Sequence, residues 1–138
     1  MNRTTKNSSW LLVARNILHL DDAKVRSVGW WCVPRTAIPG DKGFIYKPPA
    51  GIVLYFEVLS VKPRELGFCD SFGLATADVK ILKTFAQPIT IHDLRNSPVL
   101  REMAFVKRSC QGKVFPIGDD AIKAILGIPK QKAKRAVT

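Results

Sequence analysis

Two short runs rich in aromatic and β-branched side chains, residues 43–46 and 52–61, are separated by Lys47-Pro48-Pro49-Ala50-Gly51. Two consecutive prolines followed by alanine and glycine cannot continue a helix or a sheet ladder. The stretch therefore reads as a strand, turn, strand hairpin. Within 52–61 only Glu57 and Ser60 are strongly polar, which predicts a central strand rather than an edge. Pro39-Gly40-Asp41 is a turn signal leading into the first of the two strands.

The flanking sequence extends this β reading. Trp10-Leu11-Leu12-Val13, directly after three polar residues, is a continuous apolar run of the kind buried on both faces of a sheet, and is taken as the first strand. Asp21 or Asp22 is expected to cap a short helix carrying Ala23, Val25 and Val28 and ending at Gly29. Trp30 to Val33 reads as a strand stopped by Pro34, and residues 78–83 alternate as a strand with one solvent-facing side. Thr90 with Asp93 forms a capping-box pattern for a helix limited by Pro98. Residues 100–106 read as a short helix or extended piece. Residues 114–116 contain Pro116 and read as an edge strand, and 119–126 as a last helix ended by Gly127. Residues 63–73 form a loop whose Phe68 and Phe72 need somewhere to pack. Short strands separated by short helices indicate an α+β fold with a small curved sheet or barrel of about five to six strands.

The chain has 138 residues and 46% apolar composition, enough for one domain with a real core. Cys32, Cys69 and Cys110 are an odd set without a CxxC pair, and are read as reduced, packed thiols. There is no run of 18 or more apolar residues and no secretory pattern. The expectation is a cytoplasmic protein with no membrane partner.

Charge narrows the partner class. The formal net charge is +11. Lys130, Lys132, Lys134 and Arg135 lie in the last ten residues, and Arg3 and Lys6 near the start, so six of the excess charges sit at the ends. Residues 1–7 and 129–138 read as a flexible N-terminus and a basic, disordered tail around a domain at 8–128. Residues 8–129 keep 16 basic against 11 acidic side chains, a mildly basic body that favours nucleic acid as partner.

Catalytic chemistry has no positive signal. His19 and His92 have no further ligands at metal spacing, and no GxSxG, GxGxxG or P-loop occurs, so neither a metal nor a cofactor is expected. The adjacent Trp30 and Trp31 must point to opposite faces of a strand, so one of them meets solvent or a cleft. An aromatic wall on which a base stacks is the functional reading, and a seal over a small apolar cluster is the structural one. Arg15, Arg35, Lys107 and Arg108 are candidate phosphate contacts. In residues 107–113, Gly112 would permit close backbone approach, while Arg108, Ser109 and Gln111 would reach phosphate oxygens or a base edge.

The order Ser9-Trp10-Leu11-Leu12-Val13, Trp31-Cys32-Val33, Pro39-Gly40-Asp41 with Tyr46, 51–58, Gln87-Pro88-Ile89-Thr90, and Arg108-Ser109 through Gln111-Gly112 to Val114-Phe115-Pro116-Ile117 resembles the EVE domain over residues 8–127. The resemblance implies a PUA-like curved β-barrel related to YTH domains, and a non-enzymatic module that extrudes and binds a modified base. Methylated or hydroxymethylated cytosine in DNA is the first expectation, with a nuclease or other defence effector as a further partner. By position it implies a base pocket of Trp31, with Trp30 as fallback, together with Trp10, Ser9, Ala14, Arg15 and Asn16. Nucleic-acid contacts would come from Arg35, Lys107, Arg108, Ser109, Gln111, Gly112 and Lys113. The sequence departs from the family where many members carry Lys-Ser-Glu-Pro, here Val13-Ala14-Arg15-Asn16, and at Leu54, where glycine is frequent. The competing readings are an RNA-binding PUA-like module, a nucleotide-modifying enzyme using Cys32 or Asp70, and a peptide-binding groove.

Overall fold

The computed structural model describes residues 7–14, 24–62, 69, 73–108 and 114–137, with side chains up to residue 130. The elements run β1 (Ser9–Val13), β2 (Val28–Val33), β3 (Lys42–Lys47), β4 (Gly51–Lys62), β5 (Ala75–Ile89), α1 (Ile91–Arg95), α2 (Ala104–Lys107), β6 (Val114–Ile117) and α3 (Asp119–Val137). Six strands form one mixed sheet in the order β2-β5-β4-β3-β1-β6, with β1 and β3 parallel and the other pairs antiparallel. Among the described residues the sheet is open, with β2 and β6 at its edges. The architecture is α+β.

Both faces of the sheet are covered, which is why β1 reads as an unbroken apolar run. Leu11 of β1 packs with Phe44, Tyr55, Phe85, Leu94, Phe105 and Ile125, a cluster that joins the sheet to all three helices. Its neighbours Trp10 and Leu12 point the other way and pack with Trp31, Val33, Ile45, Leu54, Phe56 and Val79, all from strands. That second face, called the inner face below, carries the cluster built from strand residues. β5 serves both faces because its parity switches. Tyr55 pairs with Lys83 but Phe56 with Ile81, leaving Leu82 as an extra residue. Ala77, Val79 and Ile81 therefore face the inner cluster, while Phe85 and Ile89 face the helices.

The hairpin, the central position of β4, the edge position of β6 and the α1 cap follow the sequence reading. At α1 the Thr90 hydroxyl accepts from the Asp93 N–H at 3.1 Å, and the Asp93 carboxylate accepts from the Thr90 N–H at 3.0 Å. This cap holds a helix of five residues whose Leu94 is fully buried. Thr90→Ala is expected to lower unfolding stability by about 1 kcal/mol, read as a shifted urea midpoint at unchanged slope.

Three elements differ from expectation. Gly29 does not end a helix: Val25 and Arg26 form a turn, Arg26 at φ 72°, and Val28 and Gly29 already belong to β2. Pairing of Val28 with Lys80 outweighs the weak local cap signal. Asp21 and Asp22 lie outside the described residues. β5 extends to 15 residues, because the bulge at Leu82 breaks the alternation that marks a strand in sequence. α3 does not stop at Gly127; its backbone stays helical to Val137. Ala121, Ile125 and Ile128 continue one apolar face past the glycine, and the helix runs on through Pro129, which lacks the N–H that would donate to the Ile125 carbonyl. The segment read as a disordered tail thus carries helical backbone through 137.

Two of the cysteines are also paired. Cys32 of β2 and Cys69 form a disulfide with Cα atoms 5.2 Å apart, correcting the reading of both as reduced thiols. Cys110 lies outside the described residues, as do Phe68, Asp70, Phe72 and His19.

Candidate nucleic-acid interface

The turn before β3 fixes the start of β1. Asp41 is buried, and its Oδ1 accepts from the Asn7 side-chain amide at 3.0 Å and from the Ser8 N–H at 2.9 Å. Oδ2 accepts from the Ile38 N–H at 2.9 Å. A buried carboxylate is tolerable only when its lone pairs are satisfied in this way. Asn7, assigned by sequence to the flexible N-terminus, is thereby tied to the loop, and it also donates to the Pro39 carbonyl. Gly40 at φ 95° gives the turn its left-handed step.

The two adjacent tryptophans divide between the faces as the two-residue period requires. β2 pairs with β5 so that Trp31 lies opposite Ala77 and Trp30 opposite Asp78. Trp31 is 4% exposed and belongs to the inner cluster; Trp30 is 37% exposed on the outer side. Their rings nevertheless stack, with centroids 6.5 Å apart and planes at 28°.

Trp10 shares the inner cluster with Trp31, as does Leu54. Along the register Trp10 lies beside Gly43, Gly43 beside Phe56 and Phe56 beside Ile81, four residues from Ala77. The two indoles therefore sit on one face but about 13 Å apart in register along the strands. Gly43 makes room for the Phe56 ring between them: a Cβ there would lie 2.7 Å from Phe56 Cζ. Ser9, half-buried, pairs with Lys42, and the Ala14 N–H donates to the Tyr46 carbonyl at the far end of β1.

The cations fall into two groups. Arg35 is exposed in the turn after β2, in the loop that Asp41 anchors to the start of β1. Lys107 and Arg108 are exposed at the C-terminal end of α2, on the connection that enters β6 at Val114, opposite Leu12. Segments 15–23 and 109–113 both join the described chain at this end of the β1–β6 pair. Arg15, Asn16, Ser109, Gln111, Gly112 and Lys113 themselves lie outside the described residues. Lys107 Nζ is 3.4 Å from Glu102 with both side chains largely exposed, a contact that screening makes weak and easily exchanged for phosphate. Among titrating groups, burial, then Glu57 and then Asp119 push the Tyr55 phenol up, so it stays neutral while stacked on Phe44 at 4.4 Å. Among the described residues no group of three or more His, Cys, Asp or Glu could hold a metal ion, and no helix is long and apolar enough to cross a membrane.

Sequence reasoning missed the anchoring role of Asp41, whose only signal was its place in a Gly-Asp turn. It missed the Cys32–Cys69 pair because an odd count carries no pairing rule. The sequence pattern of the EVE domain matches residues 8–128 of this arrangement. The chain belongs to the EVE domain family. Solved structures share its fold at low identity. A hypothetical protein from Leishmania major is 19% identical, with 95% of this chain and 99% of that one covered at a TM-score of 0.69. A protein from Rhodopseudomonas palustris is 21% identical, with 88% and 92% covered and a TM-score of 0.65. One from Pseudomonas syringae is 17% identical, with 87% and 98% covered and a TM-score of 0.63. No curated protein matches the sequence. At these identities the structural likenesses bear on the fold of this EVE domain alone.

Proposed function

We propose that this EVE domain is a reader of modified bases. It would work in the cytoplasm without catalysis of its own, through a PUA-like barrel that receives an extruded nucleotide. The observation that carries the reading is Trp31: in a chain of this family, an indole anchored on the inner face of the sheet, opposite the small Ala77 and in one cluster with Trp10. Stacking on such a ring supplies about 1–3 kcal/mol per base and favours any base already easy to unstack. Arg35, Lys107 and Arg108 would hold phosphates, and the polar groups of segments 15–16 and 109–113 would read the base edge. Modified cytosine in DNA is the first substrate to test, ahead of RNA. A nuclease or other defence effector is the partner class that would act on the recognised site.

The test is binding of duplexes with and without 5-methylcytosine or 5-hydroxymethylcytosine, and of RNA duplexes, by fluorescence anisotropy at two salt concentrations. The wild-type protein is expected to prefer one modified duplex, with affinity falling as salt rises. Trp31→Ala should weaken that preference roughly 5- to 150-fold. Because truncating a buried indole also removes about 3–5 kcal/mol of packing, Trp31→Phe is measured beside it, with the fold checked by circular dichroism. Equal affinity of the wild-type protein for modified and unmodified forms of every duplex would overturn the reading.

A further inference from the structure

Outside the inner face, the free edge of the sheet carries an aromatic feature that base extrusion leaves unused. Among the described residues β2 is an edge strand whose ladder runs to β5. Along its outer face exposure rises from 5% at Cys32, beside the disulfide, through 37% at Trp30 to 64% at Val28. Val25, in the preceding turn, is 50% exposed. A tryptophan in such a place is ordinarily folded down onto its neighbours. Here the Trp30 ring rests on the ring of Trp31, which the inner cluster holds in place, so its orientation is set before any ligand arrives. Little conformational entropy then remains to be lost when a flat group settles on it.

The charges around this ring are unequal. Lys24 and Arg26 are exposed in the turn before β2, Lys80 lies opposite Val28, Lys62 is exposed on the same three-stranded face, and Arg35 follows the strand. Against these stand Asp78 and Glu57. Asp78 lies 3.8 Å from Lys62 Nζ and accepts from the Ser60 hydroxyl at 3.0 Å. Glu57 lies between Lys42 and Lys80 in the register. Cations flank both ends of β2, with an aromatic ring between them. Aromatic stacking within a basic track is the pattern that holds single-stranded nucleic acid.

We propose that the outer edge of β2 is a second nucleic-acid contact, in which an unpaired nucleotide stacks on Trp30 while Lys80, Arg26 and Lys24 hold its backbone. The contact rests on the nucleic-acid reading above but is separate from the inner face. It gives a strand opened at the extruded base a place to lie, and lets the domain bind single strands that carry no modification.

The test uses the full chain with a fluorescein-labelled oligo-dT and, in parallel, the modified duplex preferred by the wild-type protein. Trp30→Ala is expected to weaken oligo-dT binding roughly 5- to 150-fold, while Trp30→Phe keeps most of it. Lys80→Gln should lower the slope of log affinity against log salt by about 0.7, the share of one single-strand phosphate contact. Oligo-dT affinity unchanged in Trp30→Ala, with the modified duplex still bound, overturns the edge contact and leaves the base-reading assignment standing. Binding of polyglutamate as tight as that of oligo-dT overturns it too, because charge alone would then explain the attraction. Failure of the wild-type protein to bind either nucleic acid overturns both assignments together.

Discussion

Replacing Gly51 by alanine is expected to destabilise the protein by about 2–6 kcal/mol, enough to unfold much of the population of a marginally stable domain. Gly51 opens β4 at φ 132°, a conformation that side-chain-bearing residues rarely adopt. A Cβ there would collide with the Ile89 carbonyl oxygen, and would lie 2.7 Å from the Ile89 carbonyl carbon and 3.1 Å from Thr90 Cα. These are backbone atoms, so no side-chain rotation relieves the clash. Moving them would break the Ile52–Ile89 pairing and shift the cap of α1. Strain and overpacking thus add at one position. Gly127→Ala supplies the contrast: nothing lies within 4 Å of its added Cβ, and it sits inside α3. That change should stabilise by about 0.5–1 kcal/mol, because alanine restricts the unfolded chain and suits a helix. Urea unfolding of both variants, followed by circular dichroism, checks the pair. A Gly51→Ala midpoint matching the wild type would show that the hairpin does not approach the end of β5 as described.

The same hairpin shows what could be read without a structure. Local chemistry specifies elements whose signals lie within a few residues: two prolines and a glycine between apolar runs, a Thr–Asp capping box, a proline in an edge strand. It fails where pairing between distant segments overrides those signals. Val28 looks like the end of a helix until Lys80 pairs with it, and β5 loses its alternation at Leu82 because the sheet changes face there. The cysteine pair is non-local as well, closing 37 positions of sequence. In the candidate site, the two-residue period separated Trp30 from Trp31 but could not say which of them turned inward. That choice is made by packing between strands distant in sequence, which puts Trp31 among Val33, Leu54 and Val79. The basic segment 107–113 stood out by its residue types, the residues after β1 by resemblance, and the described chain leaves β1 at the end of the sheet where β6 begins, Leu12 opposite Val114.

Breaking the Cys32–Cys69 bond is expected to lower stability by about 4 kcal/mol, by the loop-entropy relation for a separation of 37 residues. Cys32 and Cys69 are both buried, so the two thiols stay packed on reduction, and most of that loss arises in the unfolded chain, which regains the closed loop's freedom. Part of the effect should also be local. Among the described strands β2 pairs with β5, and the disulfide is a further attachment near its C-terminal end. Without it, the strand that carries Trp30 and Trp31 keeps its ladder to β5 and the packing of Trp31 and Val33, but loses its covalent tie. Native-state hydrogen exchange should therefore speed up first at the amides of β2 when the protein is treated with dithiothreitol, while β4, paired on both sides, keeps its protection. The double variant Cys32→Ser with Cys69→Ser should reproduce both the lowered urea midpoint and the selective loss of protection. Uniform acceleration across the sheet would mean that the disulfide acts only on global stability. An unchanged midpoint would mean that the bond constrains neither state.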